Sequence, residues 1–132
     1  MATVPPLSDE DAPAESRAVF EAIRAARGTD YVNNFWRALA HDPALLRATW
    51  ERLSAVMGPG ALDPLVKEMV YLAVSTANGC SYCVHSHTAA ARAKGMTPAQ
   101  HAELLAVIAM ASQTNALATA LAVPVDARFM ED

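Results

Sequence analysis

The chain has 132 residues, a length that suits one domain, and folding at that size hides roughly two-thirds of the unfolded surface, enough for a real core. A net charge of −4 argues against nucleic acid, because phosphate binding needs clustered Lys and Arg and the ten basic residues lie scattered among fourteen acidic ones. No apolar run reaches the roughly 18–20 residues that span a bilayer, and the start MATVPPLSDEDAP lacks the basic and apolar regions of a signal peptide, so the expected location is cytoplasmic.

The predicted elements are all helical, because no stretch alternates convincingly enough for a strand. Residues 1–8 read as a loose leader. Ser8 reads as the cap of a first helix with Asp9, Glu10 and Asp11 in its opening turn, Val19, Phe20 and Ile23 on its apolar face, and Gly28 as its stop. A second helix covers Asn34 to Ala40. Asp42-Pro43 opens a third that runs through Leu45, Leu46, Trp50 and Leu53 to about Met57, and Gly58-Pro59-Gly60 breaks it. Asp63-Pro64 opens a fourth, since Asp caps and Pro suits the first helical position. It should run to about Ala77 and be largely buried, because no charged residue occurs from Met69 to Gly79. Asn78-Gly79 marks a turn, and a fifth helix spans from near Cys80 to Gly95. Thr97-Pro98-Ala99-Gln100 is a capping-box pattern before a sixth helix carrying Leu104, Leu105, Val107 and Ile108. A last helical piece runs from about Asn115 to Ala122, ahead of Pro124.

The chemistry concentrates on the fifth helix. Two cysteines in a reducing compartment are rarely a structural staple, and C-x-x-C spacing is more often catalytic or metal-binding. Cys80, Cys83 and His87 lie at spacings of three and four, which put their side chains on one helical face. The two cysteines can then form a disulfide across one turn. Unpaired N–H groups and the positive end of the helix dipole favour thiolate in the first turn, most of all at Cys80. Glu68 falls with Leu65 and Leu72 on an apolar stripe of the fourth helix, where a carboxylate is costly unless paired. A Glu68–His87–cysteine chain would let His87 take a thiol proton while Glu68 orients the imidazole. His85 points to another side. His41 and His101 read as solvated surface, Trp36, Phe35 and Trp50 as core or interface, and Met57, Met69 and Met110 as core filler. A 53% hydrophobic content on so short a chain points to a subunit interface, hence a homo-oligomer.

Glu68, eleven further residues, and then Cys80-Ser81-Tyr82-Cys83-Val84-His85-Ser86-His87 resemble the signature of the AhpD-like alkylhydroperoxidase family, part of the carboxymuconolactone decarboxylase superfamily. The stretch NFWRALAHDPALLRA from Asn34 to Ala48, and the run from Leu65 to Gly95, are similar to segments of that family. The resemblance covers roughly residues 30–115. It implies an all-α, single-repeat domain of six to seven helices, assembled as a trimer or hexamer, that reduces hydroperoxides through a cysteine pair; no haem, flavin or nucleotide motif is present in the chain, so no cofactor or metal is expected. It implies that Cys83 is the peroxidatic cysteine, Cys80 the resolving one, His87 the proton relay and Glu68 its support, with a lipoyl- or thioredoxin-type protein as dithiol reductant. Where the best-described peroxidases of the family carry a second histidine between the cysteines, this chain has Tyr82, which can donate a hydrogen bond but is a poor base near neutral pH. Three other readings fit the same residues: a zinc module using Cys80, Cys83, His87 and Glu68, a decarboxylase-like lyase that needs no thiol pair, and a non-catalytic redox protein.

Overall fold

Prolines and acidic caps punctuate this chain, and helices form between them. A computed structural model describes residues 1–130. Among them are six α-helices, a short 3-10 turn at Ala127–Phe129 and no strand, so the expected all-α architecture is the one adopted. The chain divides into two compact units, Met1–Gly58 and Pro59–Asp132.

The first unit holds α1 (Ala14–Arg27), α2 (Asn34–Leu39) and α3 (Pro43–Met57). Its core gathers Val19, Phe20 and Ile23 of α1, Trp36 of α2, Leu46 of α3, Ala12 ahead of α1, and Val32 and Ala40 in the connections. Trp36 meets Trp50 edge to face, with ring centroids 5.4 Å apart. Asp42 caps α3 by accepting from the Leu45 N–H, as its position before Pro43 predicts. The expected start of α1 needs correction. Ser8 caps an isolated turn, accepting from the Asp11 N–H, and the helix begins only at Ala14. The cause is Pro13, whose ring disfavours helical backbone at the residue before it. Asp9 serves ion pairs instead, to Arg24 at 2.7 Å and Arg37 at 2.8 Å. The first residues carry ties of their own: the Leu7 N–H donates to the Arg37 carbonyl, and His41 Nε2 donates to the Pro5 carbonyl.

The second unit holds α4 (Pro64–Ala77), α5 (Ser81–Ala93) and α6 (Pro98–Ala120), with α4 packed against both of the others. Asp63 caps α4 through the Leu65 N–H. Thr97 and Gln100 close both halves of the capping box of α6. Three expectations fail here. The last helical piece is no separate element, because α6 continues unbroken through Ser112 and Thr114. Their hydroxyls bond back to the carbonyls of Ile108 and Met110, so they do not compete for the helix. Met110 is exposed, not core filler. Only one side of α4 is buried, at Glu68, Leu72 and Ser75, while Val66, Val70 and Val74 stand exposed one turn apart. Lack of charge on a helix shows that its faces need cover, but the cover need not come from the same chain.

Candidate active site

The site lies wholly within the second unit and is built by α4 and α5. Asn78-Gly79 turns the chain between them, with Gly79 in the left-handed region at φ 68°. The turn sets Cys80 at the N-cap of α5 and Cys83 at its third helical position. Cys80 takes the place of the usual Ser or Asp: its sulfur accepts from the Cys83 N–H at 3.4 Å. Both cysteines are free thiols and half-buried.

These positions separate the two thiols chemically. A hydrogen bond from the Cys83 thiol, reinforced by the Cys83 and Tyr82 backbone N–H groups, holds the Cys80 pKa below its ordinary value. Cys83 is pushed up to about 11, first by burial and then by donating to Cys80. The pair is one sulfur made more acidic at the helix end and one made less acidic behind it.

Glu68 sits on the inner face of α4 with 4% of its surface exposed. Its two oxygens each have one partner: His87 Nδ1 at 2.7 Å from Oε2 and Lys94 Nζ at 2.8 Å from Oε1. Burial opposes the charged carboxylate, but the bonds from His87 and Lys94 outweigh it and hold the pKa below the usual value. An ionised carboxylate only accepts, so Nδ1 of His87 donates in this bond and Nε2 is the ring nitrogen that Glu68 leaves free for other partners. Tyr71, one turn after Glu68, stacks on the imidazole with centroids 3.6 Å apart and planes 20° from parallel. Burial raises the Tyr71 phenol, and so do the charges of Cys83, Cys80 and Glu68. Tyr71 therefore lies where the thiols and the Glu68–His87 pair meet.

Sequence reasoning placed Glu68, Cys80, Cys83 and His87 here and missed Tyr71 and Lys94. Both follow the helical period: Tyr71 is three residues after Glu68, and Lys94 is seven after His87. Tyr82 is exposed. His85 bonds the Ser81 carbonyl through Nδ1 on the outer side of α5 and takes no part. His101 borders a separate cavity of about 370 Å³ with Arg92, Met96 and Leu105. Among the described residues no group of three or more His, Cys, Asp or Glu side chains is close enough to hold a metal ion. Nor is any helix among them long and apolar enough to cross a membrane.

Residues 43–126 match the sequence pattern of the carboxymuconolactone decarboxylase family. A protein named alkyl hydroperoxide reductase AhpD from Maricaulis maris is 34% identical over 119 residues, which cover 84% of this chain and 66% of that protein. One of the same name from Azorhizobium caulinodans is 33% identical over 99 residues, covering 71% of this chain and 54% of the other. The chain thus spans less than two thirds of the length of either relative. A crystal structure described as an alkylhydroperoxidase AhpD core from Rhodospirillum rubrum superposes with a TM-score of 0.96 at 66% identity, covering 100% of this chain and 99% of the other.

Proposed function

Because the chain belongs to the carboxymuconolactone decarboxylase family, we propose that it is a thiol-dependent peroxidase of the AhpD-like type, reducing organic hydroperoxides through a Cys80/Cys83 dithiol–disulfide cycle. One observation carries this reading: two thiols held one turn apart at the start of α5, beside an imidazole tied to a buried carboxylate.

The uneven pair suits the cycle. Cys83 holds its proton and needs a base, and His87, one turn further along α5, offers Nε2. The Cys83 thiolate attacks the peroxide, the O–O bond breaks, and the alcohol leaves with the proton. Cys83 becomes a sulfenic acid. The Cys80 thiolate, favoured by the backbone N–H groups that open α5, attacks the Cys83 sulfur and expels hydroxide, which takes up the proton that Cys80 gave up and leaves as water, giving the Cys80–Cys83 disulfide. Two electrons and two protons from a dithiol protein of lipoyl or thioredoxin type restore both thiols, most readily through Cys80, the less buried of the two. That cycle belongs in the cytoplasm, where such reductants act. Tyr82, exposed on the first turn of α5, is an accessory residue and not a base.

The working form is a homo-oligomer, a trimer or hexamer. The second unit supports this, since its buried hydrophobic residues are few (Leu72, Ala91 and Met96) while α4 and α6 expose Val66, Val70, Val74, Leu105, Val107 and Met110.

Turnover of cumene hydroperoxide with a dithiol reductant tests the reading. Cys83→Ser should abolish it, Cys80→Ser should stop after one sulfenic acid, and Glu68→Gln should slow it roughly 100-fold, the scale of lost acid–base help. A decarboxylase-like lyase needs no thiol pair, so full activity on a lactone acid in the double Cys→Ser variant would replace this proposal.

A further inference from the structure

Lys94 reaches the site from the far end of α5. Its backbone caps the helix, donating to the Ala90 and Ala91 carbonyls, and Gly95 at φ 95° turns the chain away behind it. Two turns separate it from His87, so both side chains leave the same face and meet the two oxygens of one carboxylate.

We propose that Lys94 is a positioning residue of this site: it fixes the Glu68 carboxylate and keeps it compensated whether or not His87 carries a second proton. The inference rests on reading His87 as the base. A buried carboxylate left without a cation is costly. Were His87 its only partner, loss of the imidazolium proton would strand that charge, and the pair would cling to the proton. The permanent charge of Lys94 removes that penalty, so His87 can gain and give up a proton within one turnover. The Lys94 side chain is 39% exposed, so solvent weakens the effect. Tyr71 on α4 stacks on the His87 ring, and the charges of Cys83, Cys80 and Glu68 all act on its phenol. On α6, His101 and Glu103 form no hydrogen bond or ion pair with the Glu68–His87 pair.

The test is an NMR titration of the His87 ring carbons in the full-length protein, with the signal assigned by its loss in His87→Gln. In Lys94→Met the midpoint should rise by roughly half a unit to one unit, and Lys94→Arg should restore it. Lys94→Gln, which keeps a donor without the charge, should shift it as Met does and serves if the Met variant folds poorly. An unchanged midpoint in the uncharged variants overturns the proposal, because a purely structural lysine would alter stability and not the midpoint. Hydroperoxide consumption by the same samples is read separately. A shifted midpoint without turnover in the wild type sinks the peroxidase and keeps the role of Lys94, and turnover without a shift does the reverse.

Discussion

At the scale of single residues, the division of labour between the two sulfurs follows from their places in one helical turn. Cys80 receives the N–H groups that open α5, while Cys83 lies deeper and spends its proton on Cys80. Iodoacetamide reacts with thiolate, so near pH 7.5 it should label Cys80 first. Cys83 should follow only as pH approaches about 11, or once Cys80 is blocked. Peptide mapping of partly alkylated protein checks this, and equal labelling of both would contradict it. Glu68 was legible because an ionisable residue on an apolar stripe demands a partner, and His87 because its offset from Cys83 matches the helical period. Lys94 was not legible: a lysine in a last turn already has a reason to be there, through the helix dipole. Tyr71 likewise reads as an ordinary aromatic at the edge of a core.

At the scale of elements, short-range chemistry was read well wherever a side chain acts on its own turn. Asp42, Asp63 and Thr97 each cap the helix that they precede. Thr97→Ala should cost about 1 kcal/mol, measured by urea unfolding. Misreadings came where a second residue intervened. Ser8 caps a turn because Pro13 blocks the helix from starting, and polar residues at 112–115 resemble a break until their back-bonds to the preceding turn are seen. The end of α6 holds a related surprise. Ala122 adopts φ 46° while the Val123 N–H reaches the Ala118 carbonyl and the Ala122 N–H the Thr119 carbonyl, the Schellman pattern in which glycine is the favoured residue. Ala122→Gly should therefore stabilise the protein by about 0.5–1 kcal/mol, and a destabilised variant would show that this end relaxes.

At the scale of the whole molecule, composition and pattern fixed the all-α class, but the isolated chain could not show where its apolar surplus goes. The uncharged run from Met69 to Gly79 implies cover on every side, and the chain covers one side only. Light scattering should give a multiple of the 14.0 kDa chain mass. Placing two carboxylates on the open stripe, Val70→Asp with Val74→Asp, should lower that multiple while α5 and its thiols stay in place. A monomeric wild type would refute the assembly.

The most direct test of the central claim is mass spectrometry with a thiol count after one equivalent of an organic hydroperoxide. The account predicts one Cys80–Cys83 disulfide and one alcohol formed per peroxide consumed in the wild type, and none in Cys83→Ser. Two thiols that stay reduced beside intact hydroperoxide, or peroxide consumed equally well without Cys83, would contradict it.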